Sequence, residues 1–416
     1  MRSVKRIIII TLLAIDLTIF IAITPILLTI TLILKLYFTH MKSHSSPRVI
    51  RITEGGDSGS LISKFGNLNT LKMHKVSSAN FEVQTWSFDA QSFKKHKIED
   101  NFYFYEFPFS KKMPAITMTY SLLLGVKVLM SFRPNIIHSN SPYKIGLVGY
   151  FIKFLTNSKF VISYHCDYGV RERLQPGTIP RFYQSISASK QIELFCISKV
   201  DAILPIRKSI INEKFKKAKS VYVFEHGIDF TKFPKTNKPS NELNISFAGR
   251  IEDENYIFDI CTIIRELSSQ NKFKAVFHIL GGGSRLPFLK SNLDGLTNVN
   301  IYGPVDHVKV LEIRAVSHVS LNLMGGFSLI EAAYLENLLI AYDTEWHHEL
   351  IKHNNNGYLF KEGDTASIVR TIKSFEIDKT IQMGKKSKNI ALNNHGLDTV
   401  NKKKFDIYKR VLNETS

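Results

Sequence analysis

The chain has 416 residues, 44% of them hydrophobic, and a formal net charge of +19 from 55 basic against 36 acidic side chains. That is enough chain for two domains with sizeable cores, and the composition excludes a disordered or collagen-like class. The three cysteines, Cys166, Cys196 and Cys261, are odd in number with no C-x-x-C pair. They indicate neither a disulfide framework nor a zinc site and fit a reducing cytoplasm.

The basic residues fall in small dispersed clusters at positions 94–97, 111–112, 214–219, 385–388 and 402–404. Such dispersion suits an anionic membrane surface or anionic ligands better than one nucleic-acid groove. A lysine-rich solvated surface explains it equally well, and nothing beyond net charge favours nucleic acid.

Residues 7–34 are almost wholly apolar, with Asp16 their single charge. As one helix they run about 42 Å, more than the roughly 30 Å of bilayer hydrocarbon. The stretch is too long for a signal-peptide core and no small-residue cleavage site follows, so residues 1–45 read as a membrane anchor. Pro25 can kink or split it. Positive charge flanks both ends, and the positive-inside rule gives no orientation. A single span, a hairpin and a re-entrant segment all stay open. Deleting residues 1–45 is expected to release a folded protein from membranes.

Residues 48–53 (RVIRIT) predict a strand, followed by the loop EGGDSGS with Gly56 and a helix from about Leu61. The order opens a nucleotide-binding α/β unit but does not match G-x-G-x-x-G, so a plain tight turn is an equal reading. Further strands are predicted at 82–88, 102–107, 135–140, 160–165, 202–206 and 221–225, and helices at 115–131, 144–155 and 179–196. Alternation of this kind predicts a parallel sheet with helices on both faces. Ligands then meet the loops at the carboxyl ends of strands, here the polar loops His138-Ser-Asn140, His165-Cys-Asp167 and Glu225-His-Gly.

The polar run 234–241 predicts an interdomain linker. A second alternation follows, with strands at 244–248, 274–280 and 299–302 and helices at 256–269, 286–293 and 307–316. It leads to the stretch HVSLNLMGGFSLIEAAYLENLLIAYD at 318–343. This predicts strand, glycine turn (Gly325, Gly326), helix (328–338) and strand. A glycine turn admits close ligand approach, and the free N–H groups and positive dipole end of the helix suit a phosphate. Glu331 is placed in the helix's first turn, able to accept from ligand hydroxyls or to serve only as a dipole partner. The chain ends in helices at 365–375 and about 378–412.

Five stretches then carry a resemblance: PNIIHSNSPYKIGLV (134–148), VISYHCDY (161–168), VFEHGIDFTKF (223–233), ISFAGRIEDEN (245–255) and SLIEAAYLENLLIAYD (328–343), with NGYLF (356–360) in support. In this order and spacing the sequence resembles the retaining, family-4-type glycosyltransferases (glycosyl transferases group 1) with the GT-B fold, over about residues 48–375. The resemblance implies an α/β architecture of two Rossmann-like, doubly wound domains facing a cleft, here preceded by a membrane segment. The expected layout is an anchor at 1–45, an acceptor domain at 46–238 and a nucleotide-sugar domain at 239–376. Helices at 377–416 are expected to pack back on the acceptor domain. Arg250 matches the family's diphosphate-binding arginine and Glu331 its ribose-binding glutamate. Gly325, Gly326 and Phe327 match the loop facing sugar and phosphates, and Gly282, within Gly281–Gly283, matches a turn near the nucleotide. Gly56, His138, Asn140, His165 and Asp167 are the candidate acceptor or sugar contacts. The family's reaction is a front-face transfer in which the donor phosphate takes the acceptor proton, so no protein nucleophile or base is assigned. No Asp-x-Asp motif occurs, and neither metal nor cofactor is expected.

Three positions depart from the family pattern. Its glutamate eight residues before Glu331 is Leu323 here, and its lysine five residues after Arg250 is Asn255, beside an acidic run at 252–254. Asn140 stands where a histidine is usual, with His138 two residues earlier on the same strand face. Lys64, Lys208 and Arg285 are candidates to replace the missing cation. The leading expectation is a membrane-associated hexosyltransferase, catalytic domain on the cytoplasmic side, moving a sugar from a nucleotide-sugar to a lipid-linked or cell-surface-glycan acceptor. The alternative is a non-catalytic GT-B subunit that binds a partner glycosyltransferase or glycolipid. A GT-B epimerase would have no use for an anchor. Glu331→Ala is expected to weaken nucleotide binding without unfolding the chain.

Overall fold

The computed structural model describes residues 2–40, 46–53, 81–110, 113–165, 186–269 and 274–414. Gly56, Lys64, Cys166 and Asp167 lie outside these residues. Helix α1 (Arg2–His40) is continuous, with Pro25 inside it. Its segment Ile21–His40 has a mean hydropathy of 2.1, long and apolar enough to cross a membrane.

The first sheet contains β1 (Arg48–Thr53), β2 (Glu82–Ala90), β3 (Lys94–Glu99), β4 (Phe102–Pro108), β5 (Ile136–Ser139), β6 (Lys159–Tyr164), β7 (Ala202–Pro205) and β8 (Ser220–Val221), in the order β3-β4-β2-β1-β5-β6-β7-β8. All pairings are parallel except β3 with β4. The second sheet contains β9 (Leu243–Ala248), β10 (Ala275–Leu280), β11 (Val299–Gly303), β12 (Val319–Leu321), β13 (Leu338–Tyr342) and β14 (Gly357–Phe360). It is wholly parallel, in the order β11-β10-β9-β12-β13-β14. Strand order reverses direction beside β1 and beside β9, the switch points where such sheets bind ligands.

Helices α2 (Pro114–Ser131), α3 (Lys144–Thr156) and α4 (Ile186–Lys199) belong to the first half. In the second half come α5 (Ile257–Ser268), α6 (Leu286–Asn292), α7 (His307–Val316), α8 (Phe327–Tyr334), α9 (His347–Leu350) and α10 (Thr365–Lys373). The apolar strand runs fit sheets covered on both faces, and each sheet has a core on either side.

The expected terminal helix is two helices, α11 (Ile377–His395) and α12 (Leu397–Asn413), broken at Gly396, whose φ of −59° and ψ of 134° leave the helical region. Main-chain bonds Ile228 N–H to His395 O (2.7 Å) and Leu397 N–H to Ile228 O (3.0 Å) fix that break. α12 then lays Val400, Ile407, Tyr408 and Val411 on the first sheet against Val49, Val83 and Phe104. Residues four and seven apart share a helix face, which explains the stripe.

Strand β3 has the sequence KKHKIE, read from sequence only as a basic cluster; its exposed Lys94, Lys95 and Lys97 fit a charged sheet edge. α1 packs along α2 and α3, and Phe38 is fully buried in the core shared with Ile50 and Ile137. Deleting residues 1–45 therefore removes a core side chain together with the expected anchor. The deletion opens a hole where Phe38 sits, and a buried Phe is worth about 3–5 kcal/mol.

Candidate functional site

A cavity of about 550 Å³ opens between the two sheets at their strand ends. His165, Arg207 and Asn212 line it from one side, and Arg250, Gly325, Gly326, Ser328 and Trp346 from the other. The second wall begins at the carbonyl of Ala248, the last residue of β9. That oxygen accepts from Ser328 Oγ (2.9 Å), Asn322 Nδ2 (3.1 Å) and Arg314 Nη2 (3.4 Å). Asn322 Nδ2 and Arg314 Nη2 also donate to Ser328 Oγ, at 2.7 and 2.9 Å. This bracket ties β9, β12, α7 and the first turn of α8 together, so the helix N-terminus is held firmly at the cavity.

No side chain caps α8, whose N-cap is Gly326. Its first N–H groups and positive dipole end are therefore open to a ligand. Gly325 is clamped instead: its N–H donates to His347 Nε2 (3.2 Å) and its carbonyl accepts from Trp346 Nε1 (3.1 Å). His347 Nδ1 donates to Tyr342 O at 2.6 Å. Burial holds this imidazole below its ordinary pKa, which keeps Nε2 free to accept. A Cβ on Gly325 would lie 2.0 Å from Leu329 Cδ1, so a larger residue in this turn requires the buried Leu329 side chain to move.

Glu331 lies in the second turn of α8, not the first, because the helix starts at Phe327. It does not line the cavity. Its carboxylate accepts from the buried Arg314 (Nη1 to Oε2, 2.5 Å) and from His307 Nε2 (2.8 Å). Burial alone would raise this acid, but His307 and Arg314 outweigh it and hold the group below the ordinary carboxylate range. The bond from Glu331 raises His307 in turn. Truncating Glu331 leaves Arg314 buried without its counter-charge, a change that costs about 3–5 kcal/mol. Glu331→Ala therefore tests stability as well as binding.

Arg250 lines the cavity with its guanidinium largely exposed and ion-paired to Glu254. The acidic run around it is neutralised residue by residue: Glu252 accepts from Ser284, Asp253 from Arg285 at 2.6 and 2.7 Å, and Glu254 pairs Arg250. Arg285 is thereby committed away from the cavity, and Lys208 lines a neighbouring cavity of about 370 Å³ instead. Asn255, in the place of the family's lysine, lines the main cavity and donates to Arg250 O at 2.7 Å. Leu323 is fully buried in the core with Leu321 and Ile340, so that position presents nothing to a ligand.

Gly282 does not line the cavity. The triplet around it buttresses the wall: Gly281 has φ +135°, and a Cβ there would meet Gly249 O at 1.9 Å. Phe327 faces the neighbouring cavity and packs on His226 at 4.8 Å. On the first-sheet side, His165 lines the main cavity and stacks on His226 at 5.2 Å. Burial, then the charges of Arg51 and Arg207, push His165 down to about 4, so it is a neutral imidazole near pH 7. His138 is fully buried, with Nδ1 2.5 Å from Tyr408 Oη and Nε2 2.7 Å from Ser163 Oγ. It works as a core histidine away from the cavity, because α12 covers its strand face. Asn140 accepts a long 3.5 Å contact from Arg51 Nη2.

Two charged cavity residues were not picked out in the sequence. Arg207 reaches from the first half over the Trp346 ring, 4.3 Å from its centroid, and pairs Glu345 at 3.5 Å. Glu345 is the one carboxylate among the described cavity-lining residues and holds φ +48°, uncommon for a side-chain-bearing residue. Among the described residues no group of three or more His, Cys, Asp or Glu is placed to hold a metal ion.

Residues 229–394 match the model of the family Glycosyl transferases group 1. The second half carries a glycosyltransferase domain. Solved structures agree over nearly the whole chain, and the fold is GT-B. Sucrose-phosphate synthase from Thermosynechococcus elongatus superposes with a TM-score of 0.67 at 12% identity, over 89% of this chain and 100% of that one. A glycosyltransferase from Rickettsia africae gives 0.65 at 16%, over 89% and 100%. Anabaena HepE in complex with UDP gives 0.64 at 14%, over 87% and 100%. No curated protein sequence matches. The glycosyltransferase domain contributes the bracketed wall, Arg250 and the open N-terminus of α8, and the other half contributes Arg207 and His165.

Proposed function

We propose that the protein is a membrane-associated glycosyltransferase that moves a sugar, with retention, from a nucleotide diphosphate sugar to a lipid-linked or cell-surface-glycan acceptor. The observation that carries this is the uncapped N-terminus of α8 at the wall of a cavity that Arg250 and Arg207 also line. Cleaving a nucleotide diphosphate sugar leaves charge on the diphosphate. Fixed N–H dipoles and cations in a partly enclosed site stabilise such charge without reorganising. Arg207 takes the place of the missing lysine, and Glu345 offers a carboxylate to sugar hydroxyls where Leu323 offers none. Glu331, braced by Arg314 and His307, is the candidate for the ribose hydroxyls once His307 yields its bond. The donor phosphate takes the acceptor proton, so no protein base is needed. The apolar α1 and the positive net charge favour an acceptor at an anionic membrane, with the cleft on the cytoplasmic side.

The test is calorimetric titration of the detergent-solubilised full chain with UDP-, GDP- and ADP-sugars, followed by an assay for sugar transfer or donor hydrolysis. Micromolar binding of one donor with turnover supports the reading. The buried Leu323 favours a second reading, a non-catalytic subunit. Donor binding with no turnover on any membrane extract selects it, and no binding by a folded protein removes the donor site altogether.

A further inference from the structure

Asp16, the single charge in the apolar run of α1, is buried. Its carboxylate accepts the N–H groups of Ala115 (Oδ2, 2.8 Å) and Ile116 (Oδ1, 2.9 Å), in the first turn of α2. The N-cap of α2, Met113, provides no side-chain bond there. An anion at the positive end of a helix dipole makes strong, charge-assisted bonds. At the other end of the contact, Phe38 is fully buried in the core and Lys35 Nζ sits 3.7 Å over the ring of Phe154 on α3. α1 is thus fastened to the domain from residue 16 to residue 38, about 33 Å of helix. That length matches the whole hydrocarbon thickness. A helix crossing the bilayer alone has to leave the domain at the interface, and this one does not.

α2 is a second apolar surface. Its 18 residues include one charge, Lys127, and no acid. It has a mean hydropathy of 1.3, yet only 28% of it is buried, which a core helix would not show. Tyr120, Leu123 and Met130 are exposed along one stripe, in which the exposed Lys127 is the single charge, where a water-facing helix carries several. α1 is apolar and exposed as well, with Leu17 and Ile21 on one side and Ile26 on the side opposite Leu17. Exposed apolar surface of this extent marks an interaction site. The partly exposed Lys35, Arg133 and Lys144 lie on and beside these helices, matching anionic headgroups.

We propose that α1 and α2 form one monotopic face. α1 lies in the plane of an anionic bilayer rather than crossing it, α2 lies beside it in the lipid interface, and Asp16 fastens the pair. The proposal rests on the membrane reading above. It puts both ends of α1 on the same side, which accounts for positive charge at both ends. Helix N-termini and strand carboxyl ends share an edge in a doubly wound sheet, so the first turn of α2 brings the cleft edge down to the headgroups, where a lipid-borne acceptor is reached.

The experiment uses the full chain added from dilute detergent to sealed vesicles of phosphatidylcholine with one part in about three phosphatidylglycerol. An environment-sensitive fluorophore is placed at Leu123→Cys, Ile26→Cys or the exposed Asp294→Cys, and quenched by shallow doxyl lipids. Quenching at Leu123 and Ile26 but not Asp294 is expected. An unquenched Leu123 with a quenched Ile26 overturns the α2 contact while sparing the membrane reading. A membrane-impermeant maleimide is expected to label both Lys5→Cys and His40→Cys from outside, whereas protection of one end alone shows that α1 crosses. Asp16→Ala is expected to halve the Leu123 quenching, or more, without changing that of Ile26. No change removes Asp16 as the fastener. A folded chain that does not bind these vesicles at all overturns the membrane reading and this inference together.

Discussion

The two walls of the cavity are built by opposite means. The second-half wall is a dense network around paired groups: Ala248 O gathers three donors, Glu331 accepts from Arg314 and His307, and the acids at 252–254 have one partner each. On the other side two buried cations share one neighbourhood: burial and then the like charge of Arg51 lower the pKa of Lys404. Both halves also hold buried polar atoms with no hydrogen-bond partner among the described residues, Thr85 Oγ1 and Ser87 Oγ in the first and Asn337 Oδ1 and Thr344 Oγ1 in the second. A buried polar group left unpaired costs about 1–3 kcal/mol. The lesson is that the second-half wall balances its buried cation, Arg314, with Glu331, while the facing half buries Lys404 beside the like charge of Arg51.

The sharpest way to break this contrast is Arg314→Leu. It strips the counter-charge from Glu331 and one donor from Ala248, and a buried pair broken on one side costs about 3–5 kcal/mol. Urea denaturation should show that loss. The double variant Arg314→Leu with Glu331→Leu should recover part of it, since an apolar pair of similar volume is tolerated. Next comes Arg207→Ala, which leaves the bracket intact. It should lower turnover about 10²–10³-fold if Arg207 serves the leaving diphosphate, with an unchanged denaturation midpoint. An unchanged rate would remove it from the site. On the facing half, Tyr408→Phe deletes the hydroxyl beside His138 and should cost about 1–2 kcal/mol, read as a lower denaturant midpoint.

The smallest and broadest effect is on pH. His165 titrates at about 4 and His226 well below its ordinary value, burial being the main cause in both. The unfolded chain takes up these protons near pH 6.5 while the folded chain refuses them, so stability should fall as pH drops from about 6.5 toward 4. His307 acts in the opposite sense, its stabilisation lost as pH rises through its raised pKa. A denaturation series over this range, with His165→Gln flattening the acid limb, checks the sign.

Much of the strand and helix alternation was legible because apolar runs and turn residues are local signals. The strand–turn–helix at 319–334 was read nearly in place. What was not legible is what depends on distant partners. Ala248, Arg314, Asn322 and Ser328 meet only after β9, β12, α7 and α8 pack. The one sequence hint was Arg314 lying on the same helix face as Leu311 and Ala315, a charge where the pattern calls for an apolar residue. His138 read as a site residue because its strand-end loop is polar, and only α12 shows that its face is covered. Strand β3 escaped because an exposed edge strand of lysines lacks the apolar run used to find strands. Glu331 was one turn out because the helix begins at Phe327, where the glycine turn ends.

The return of α12 to the first sheet also sets an order of events during synthesis. Val400, Ile407, Tyr408 and Val411 complete the cluster that contains Val49, Val83 and Phe104, yet they leave the ribosome after the whole second half. Domains generally fold as units while the chain emerges. Here Val49, Val83 and Phe104 in the half made first lack these four partners until the half made second is finished, and apolar surface waits uncovered in the interval. A nascent chain halted before residue 397 should be captured by chaperones, and one extended past residue 413 and clear of the exit tunnel should be released.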